Sequence, residues 1–275
     1  MTRCDLCFHR CALQEGQRGI CRVRLCRGGK IVDGNYGMIS SLALDPVEKK
    51  PLRRFHPGSF VLSVGSCGCN LRCPFCQNNG ISMTDGNDVP MRRLPPQQLA
   101  ELAQELKPRG NIGVAYTYNE PTVSFEYLMD CAPLVHRNGM YNVLVTNGSL
   151  LPSPLKKLLP FIDAMNVDLK GFSEAFYRWI GGDLETVKNF IALSEESGCH
   201  VEVTTLVIPE KNDSPEEMEA LSAWLASVDR RIPLHLTRFF PQYKMARALP
   251  TPLPTLYKLA DIASKSLEYV YLGNC

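Results

Sequence analysis

Nine of the twelve cysteines fall within the first 76 residues of this 275-residue chain. The opening residues 1–5 lack the apolar core of a secretion signal, and no stretch approaches the ~20 apolar residues of a membrane-spanning helix. We therefore expect a cytoplasmic protein without a membrane partner, in which reduced, clustered cysteines bind metal rather than form disulfides. Three isolated cysteines, Cys131, Cys199 and Cys275, are interpreted as buried or inert thiols.

The composition fits one α/β catalytic domain with a small appendage. Hydrophobic residues make up 45% and charged residues 21%, which excludes a disordered chain. With a net charge of +2 the chain has no marked excess of basic residues, so we expect no nucleic-acid partner. Residues 1–59 are predicted to form a Cys-rich segment followed by an irregular connector, and residues 60–275 the regular domain.

From residue 60 onward, β-branched runs alternate with helical patterns. The predicted strands are 60–64, 112–116, 141–145, 164–169, 200–207 and 234–240, with 269–272 as one more. The predicted helices are 94–106, 123–135, 155–159, 184–194, one starting at Ser214, and 253–267. Six β/α units in series indicate parallel strands, but they are too few for a closed eight-stranded barrel. We therefore predict a partial (β/α)6 TIM-type barrel with its active residues at the carboxyl ends of the strands.

The strongest motif follows the first predicted strand and reads Cys69-Asn70-Leu71-Arg72-Cys73-Pro74-Phe75-Cys76. Its three thiolates can bind three irons of a 4Fe–4S cluster and leave the fourth iron open to a substrate or cofactor. A zinc site is the alternative, since a structural zinc normally takes four protein ligands and Cys67 could supply the fourth.

A second group of cysteines lies at the amino terminus. Four thiols in a segment too short to form its own core indicate a closed metal site, in which His9 could replace one of them. Zinc, a second iron–sulfur cluster and a segment without metal remain open. The four candidate ligands are Cys4, Cys7, Cys11 and Cys21.

The Cys69–Cys76 motif, with Phe75 before its last cysteine, resembles the radical S-adenosylmethionine (SAM) superfamily. The resemblance implies a 4Fe–4S cluster on Cys69, Cys73 and Cys76, with SAM bound at the open iron through its amino and carboxylate groups. Reductive cleavage would then produce a 5′-deoxyadenosyl radical, under anaerobic conditions and with a reductant such as flavodoxin or ferredoxin. The implied enzyme abstracts hydrogen from a protein, peptide or small-molecule substrate.

Polar motifs at other strand ends support this resemblance. Tyr118-Asn119-Glu120-Pro121 follows the second predicted strand, where the family commonly carries a Gly-Gly-Glu motif that receives the SAM amine. The resemblance implies that Lys170 contacts the SAM carboxylate, Asp168 the ribose or a neighbouring cation, and Arg238 a second anionic group. The complete set of expected cofactor-binding residues is Phe75, Gln77, Asn119, Glu120, Asn147, Asp168, Lys170 and Arg238.

Within the superfamily, the chain resembles pyruvate formate-lyase activating enzymes and the AmmeMemoRadiSam system enzymes most. The similar stretches include 45–52, 55–59 and 238–241. Val145 occupies the place before Thr146-Asn147-Gly148 where glycyl-radical activating enzymes typically carry an aspartate. A general radical SAM enzyme is therefore the leading hypothesis. The alternatives are a glycyl-radical activating enzyme and, from another class, a metal-stabilised binding protein without catalysis.

Overall fold

An eight-stranded sheet forms the centre of this computed structural model, which describes residues 1–275. The strands in chain order are β1 (Thr2–Arg3), β2 (Ala12–Leu13), β3 (Arg24–Arg27), β4 (Lys30–Asp33), β5 (Met38–Ile39), β6 (Ser41–Pro46), β7 (Phe60–Gly65), β8 (Arg92–Arg93), β9 (Asn111–Tyr116), β10 (Tyr141–Thr146), β11 (Ala164–Asp168), β12 (His200–Val207), β13 (Leu234–Arg238) and β14 (Val270–Gly273). The helices are α1 (Asn79–Ser82), α2 (Pro96–Glu105), α3 (Phe125–Arg137), α4 (Pro152–Leu158), α5 (Glu174–Ile180), α6 (Leu184–Glu196), α7 (Pro215–Asp229) and α8 (Leu253–Ala263).

Seven strands of the main sheet are parallel. Their order is β7-β9-β10-β11-β12-β13-β14, so each strand pairs with the next strand of this sheet along the chain, and every connection contains at least one helix. The two edges, β6 and β14, do not pair with each other, and the sheet is therefore open. The predicted partial TIM-type barrel is confirmed, with β14 as its final strand.

Local sequence signals account for several helix boundaries. Ser214 caps α7 by accepting a hydrogen bond from the Glu217 amide at 3.1 Å, and Pro215 occupies the first turn. Helix α5 was not predicted, because seven residues are too few to show an amphipathic repeat. Its boundaries are nevertheless encoded locally, since Ser173 caps its start and Gly181 ends it at φ +70°.

The prediction of an irregular connector at the end of residues 1–59 was wrong at β6. This strand pairs antiparallel with β7 and forms an edge of the main sheet, with Ser41 opposite Gly65 and Pro46 opposite Phe60. The pairing joins residues up to 24 positions apart in sequence (41 to 65), which a short sequence window does not record. The strand is also short and ends at a proline, a residue that argues against a strand when the sequence is read alone. The division of the chain at residue 59 remains a prediction.

The segment after β6 fills the end of the barrel opposite the carboxyl ends of the parallel strands. Leu52 is fully buried there against Val61, Ala115 and neighbouring strand residues. The backbone amides of Arg53 and Arg54 donate to the buried Glu202 carboxylate at 3.0 and 2.8 Å. This segment therefore forms the floor of the barrel interior.

The Cys-rich amino-terminal segment packs on the barrel. Its hairpins are β1–β2 and β3–β4, and Arg24 forms a bidentate ion pair with Glu126 of α3 at 2.6 and 2.7 Å. The Leu151 amide also donates to the Leu6 carbonyl at 3.0 Å, which attaches the segment to the loop after β10. None of the helices combines the length and the apolarity that crossing a membrane requires.

Candidate active site

A cavity of about 410 Å³ extends from the carboxyl ends of the parallel strands into the barrel. Cys69, Cys73 and Cys76 all line it. Seven of the eight expected cofactor-binding residues line the same cavity, namely Phe75, Gln77, Asn119, Glu120, Asn147, Asp168 and Lys170. Arg238 lies outside this lining, and its Nε donates to the Thr251 carbonyl at 2.7 Å. The fold thus brings together predicted site residues from four separate parts of the sequence.

The loop that carries the three cysteines follows β7 and is held from two sides. Gly68 adopts φ +84°, and a Cβ at this position would lie 2.3 Å from Cγ2 of Val23, so only glycine allows the amino-terminal segment to approach so closely. On the other side, Asn119 Nδ2 donates to the carbonyls of Cys67 and Gly68 at 2.9 and 3.1 Å. Because Asn119 Oδ1 also accepts from the Ser66 amide, its side chain positions the cysteine loop.

The thiols of Cys69 and Cys73 favour their neutral form. Burial raises the pKa of Cys73 to about 12 although Lys170 opposes the shift, and burial, Glu120 and Cys73 raise the pKa of Cys69 well above its ordinary value. Thiolates in these surroundings need a positively charged partner, and binding to iron supplies one.

The donor set fits a 4Fe–4S cluster better than a single metal ion. No three His, Cys, Asp or Glu side chains lie close enough together to bind one ion. In a 4Fe–4S cluster each cysteine binds a different iron, so the three sulfurs need not converge on one point. Cys67, the fourth ligand of the zinc alternative, lies outside the cavity lining and accepts a hydrogen bond from Asn35 Nδ2 at 2.7 Å.

Glu120 is buried at the wall of the cavity. One of its carboxylate oxygens accepts from the Thr122 amide, the Thr122 hydroxyl and the Thr146 hydroxyl at 3.1, 2.6 and 2.8 Å, and the other accepts from the Asn147 amide at 2.8 Å. Burial raises the pKa of Glu120, while these hydrogen bonds oppose the shift. The carboxylate therefore connects the loop after β9 to the end of β10 and also faces the cavity.

Asn147 follows β10 and contacts the cysteine loop directly. Its Nδ2 lies 2.8 Å from Asn70 Oδ1 and 3.6 Å from the Cys69 sulfur. A side-chain amide that donates to a cysteine sulfur stabilises the thiolate form and tunes a cluster bound through it. Asn147 is thus placed to act on the first cysteine of the motif.

Asp168 and Lys170 form an ion pair after β11. The Lys170 Nζ lies 2.9 Å from Asp168 Oδ2, and the side chains are 18% and 34% exposed. Burial alone would lower the pKa of Lys170, but Asp168 and Cys73 together raise it. Lys170 is therefore a permanent cation beside the cysteines, as a contact for an anionic cofactor group requires.

Two further residues line the cavity near the third cysteine. Phe75 is buried, with its ring centroid 5.7 Å from that of Trp179 and 6.3 Å from that of Phe176. This aromatic packing fixes the backbone between Cys73 and Cys76. Gln77 is exposed at the rim of the cavity.

The amino-terminal cysteines line a second, small cavity. Cys4, Cys7, Cys11 and Cys21 all contribute to its walls, together with Asn70 of the cysteine loop. His9 Nε2 lies 2.8 Å from the Asn70 carbonyl, so its ring contacts the active-site loop. The four predicted ligands line one cavity, but no three of them lie close enough together in this structure to bind one ion, and a metal site there remains a prediction.

Sequence analysis did not assign a site role to Asp45, near the end of β6, or to Lys50, in the segment that follows. Lys50 lines the cavity, and its Nζ donates to Asp45 Oδ2 at 2.8 Å. The Tyr118 hydroxyl donates to the same Asp45 oxygen at 2.8 Å. Burial alone would raise the pKa of Asp45, but these two hydrogen bonds lower it to about 2. The sequence signals were the resemblance of residues 45–52 to known radical SAM enzymes and an acid and a base five residues apart.

Comparisons with known proteins agree with this geometry. The model of the radical SAM superfamily matches residues 63–222. An uncharacterized protein of Methanocaldococcus jannaschii is 39% identical over 276 aligned positions, which cover 99% of this chain and 81% of that protein. The pyruvate formate-lyase-activating enzyme of Clostridium pasteurianum is 23% identical over 206 positions, covering 73% of this chain and 83% of the relative.

Solved structures share the fold at low sequence identity. A domain of pyruvate-formate lyase-activating enzyme from Bacteroides vulgatus superposes with a TM-score of 0.52 at 16% identity, covering 59% of this chain and 99% of that domain. Streptococcus suis SuiB bound to S-adenosylmethionine superposes with a TM-score of 0.59 at 14% identity, covering 78% of this chain and 52% of SuiB. With the family model matching more than half of its residues, the chain belongs to the radical SAM superfamily.

Proposed function

We propose that this chain is a radical SAM enzyme that cleaves SAM reductively and abstracts hydrogen from a protein, peptide or small-molecule substrate. The observation that carries the proposal is the cavity at the carboxyl ends of the strands. It combines three cysteines, a cation at Lys170 and a buried carboxylate at Glu120. When bound, a 4Fe–4S cluster with one open iron supplies the electron that cleaves SAM into methionine and a 5′-deoxyadenosyl radical.

Residues of different charge would bind different parts of the cluster and of SAM. Cys69, Cys73 and Cys76 would hold the cluster, and Lys170 would attract the SAM carboxylate. Glu120 would accept a hydrogen bond from the SAM amine, since it lines the cavity and its carboxylate oxygens are hydrogen-bond acceptors. Asp168 would keep Lys170 oriented and could reach the ribose hydroxyls. Binding in the interior of the partial barrel would keep water away from a reactive radical.

Activation of a glycyl-radical enzyme is the second candidate. The similarity to the activating enzyme of Clostridium pasteurianum favours it. Val145, however, lines the cavity where activating enzymes of this kind typically carry an aspartate before Thr146-Asn147-Gly148. An apolar side chain there leaves the cavity without one carboxylate, and we therefore place this activity second to hydrogen abstraction from another substrate. A binding protein without catalysis is the least supported alternative.

The proposed reaction needs a one-electron donor. We propose flavodoxin or ferredoxin as the reductant and a cytoplasmic, anaerobic setting, since exposed thiols and an iron–sulfur cluster survive best where oxygen is scarce. A peptide substrate is consistent with the fold, because SuiB, which shares it, has been solved bound to its precursor peptide.

Anaerobic reconstitution with iron and sulfide tests the proposal. We expect broad visible absorption from a 4Fe–4S cluster, and formation of 5′-deoxyadenosine after addition of dithionite and SAM. Cys73→Ala should lose both, whereas Cys199→Ala, which removes an isolated buried thiol, should retain both. A protein that binds only zinc, or an intact cluster that yields no 5′-deoxyadenosine, would contradict the proposed function.

A further inference from the structure

Lys50 enters the active-site cavity from the end of the barrel opposite the three cysteines. Strand β6 runs antiparallel to β7, so the residues after Pro46 lie near Phe60, where β7 begins, whereas Cys69 follows the other end of β7. The Lys50 side chain is only 4% exposed and lines the cavity. A buried cation is therefore available at the floor of the cavity, away from the site proposed for SAM.

The hydrogen-bonding capacity of Lys50 is only partly used within the protein. Its ammonium group has three N–H donors, and the Asp45 carboxylate accepts one of them at 2.8 Å. The aromatic ring of Tyr118 lies 4.7 Å from Nζ and shields one side of it. The remaining N–H groups have no protein acceptor, although buried polar groups are normally paired. They are available to a ligand in the cavity.

Tyr118 provides an independent sign that this floor is functional. Its backbone adopts φ +73°, a left-handed conformation that is costly for a tyrosine and easy for glycine. Space for its ring depends on Gly65, because a Cβ there would lie 2.9 Å from Tyr118 Cδ2. Strain of this kind persists where the surrounding structure uses the side chain. Here the Tyr118 hydroxyl bonds to Asp45 and its ring covers Lys50.

The charge of this group suits a monoanion. Asp45 balances one positive charge, and Lys49, which also lines the cavity, contributes a second positive charge 3.5 Å from Asp45. The sum over Lys49, Lys50 and Asp45 is therefore +1. A phosphate group carries a charge of about −1.5 to −2 and needs more donors than one buried ammonium can offer. A carboxylate matches both the charge and the available N–H groups.

We propose that Lys50 forms a substrate subsite that binds a carboxylate group, with Asp45 and Tyr118 as the positioning residues. The inference rests on the proposed function, because it assigns to that enzyme a substrate that carries a carboxylate. A carboxylate at the floor would orient the rest of the substrate toward the carboxyl ends of the strands, where the cysteines lie. The subsite thus selects substrates by charge and by the distance between their carboxylate and their reacting carbon.

Propionate and its neutral isostere propionamide provide the test, with inorganic phosphate as a third probe. Binding to the reconstituted full-length protein is measured by saturation-transfer NMR with saturating SAM present, so that the SAM site is filled. We expect propionate to bind at least five-fold more tightly than propionamide or phosphate. Equal binding of propionate and propionamide would overturn the proposal, and tighter binding of phosphate would replace the carboxylate with a phosphate group and overturn it as well.

Variants of Lys50 and Asp45 distinguish a role in ligand binding from a role in stabilising the fold. Lys50→Met alone leaves the Asp45 carboxylate buried beside weaker partners, so the double variant Asp45→Asn/Lys50→Met removes both charges together. We expect this double variant to keep its melting temperature within a few degrees and to bind propionate at least ten-fold more weakly. Lys157→Met, which removes the same charge from an exposed side chain of α4 outside the cavity lining, should weaken propionate binding less than two-fold.

The outcomes also separate this inference from the proposed function. Unchanged propionate binding in the double variant, or a double variant that does not fold, would assign Lys50 a structural role and overturn the inference. Formation of 5′-deoxyadenosine by the wild-type protein is measured separately and does not depend on propionate. A wild-type protein that produces 5′-deoxyadenosine but binds propionate no better than propionamide therefore retains the proposed function and loses only the subsite.

Discussion

Lys170 offers the most direct test of cofactor binding at the level of a single residue. A charge-assisted hydrogen bond to the SAM carboxylate contributes about 1.5–3 kcal/mol, so Lys170→Ala should weaken SAM binding roughly ten-fold or more. The melting temperature and the cluster spectrum should be retained, because Asp168 is 34% exposed and water can replace its partner. Titration with SAM and chromatography of 5′-deoxyadenosine at fixed SAM measure the effect.

Lys157→Ala is the matched control for this experiment, since Lys157 is exposed on α4, outside the cavity lining. It should bind SAM as the wild type does. If Lys170→Ala loses its cluster and its fold together, the role of Lys170 is structural.

Glu120 differs from Lys170 because the fold also depends on it. Its carboxylate accepts four hydrogen bonds in a buried position, and Glu120→Ala would leave the Thr122, Thr146 and Asn147 donors without their acceptor. We expect a loss of roughly 3 kcal/mol in the free energy of unfolding, in addition to weaker SAM binding. Urea unfolding measures the first effect and SAM titration the second. Normal stability would show that these donors find other partners.

At the level of secondary structure, Glu202 connects β12 and β13 to the segment that forms the barrel floor. Its fully buried carboxylate lies 2.9 Å from His200 Nε2 and 2.6 Å from His235 Nε2, and it accepts from the Arg53 and Arg54 amides. Burial alone would raise the pKa of Glu202, but these partners lower it to about 2. The charged carboxylate therefore stabilises the folded state.

The sign of the pH dependence follows from this lowered pKa. A carboxyl group whose pKa falls from 4.5 to about 2 on folding stabilises the protein above pH 4.5, and this contribution is lost as the pH falls toward 2. Glu202→Gln should lower the free energy of unfolding by roughly 2–3 kcal/mol at pH 7, and the difference from wild type should shrink below pH 4.5. Urea unfolding of both proteins at pH 7, 4 and 3 measures this difference in the free energy of unfolding.

The control for Glu202 is Glu219→Gln on the exposed face of α7, which should match wild type at each pH. A Glu202→Gln deficit that is constant between pH 7 and pH 3 would indicate lost packing rather than lost charge.

At the level of the whole molecule, the amino-terminal segment and the barrel meet at the active-site loop. His9 contacts the Asn70 carbonyl, and Arg22 Nη1 donates to the Cys69 carbonyl at 3.2 Å. A metal held by the four amino-terminal cysteines would therefore stabilise the loop that carries the proposed cluster. The segment contributes to the site although the barrel carries the proposed chemistry.

The double variant Cys7→Ser/Cys11→Ser tests this arrangement. We expect it to lose the second metal and to unfold at a lower temperature, while it retains the absorption of the cluster on Cys69, Cys73 and Cys76. Metal analysis, thermal unfolding and the visible spectrum provide the three measurements. Cys275→Ser, which removes an exposed thiol, is the control. Unchanged metal content in the double variant would contradict the amino-terminal site.

The sequence was sufficient for features encoded within short windows. Strand periodicity, the Cys69–Cys76 spacing and polar motifs directly after strands are local patterns, and in a parallel sheet all strand carboxyl ends lie on one side. Cys69, Glu120 and Lys170 could therefore be assigned to one site before their contacts were known. Ser214 is another local signal, since this capping residue predicted from its immediate neighbours where α7 begins.

Contacts between distant residues depended on the tertiary structure. Strand β6, the Tyr118–Asp45 hydrogen bond across 73 positions and the His9–Asn70 contact across 61 positions arise from packing, which no local window records. Arg238 is a residue for which the local pattern was misleading. Its place at a strand end predicted a position in the cavity, whereas in the folded protein its Nε donates to the Thr251 carbonyl. The spacing of residues along the chain decides which chemistry is available, and burial decides which side chains face the same cavity.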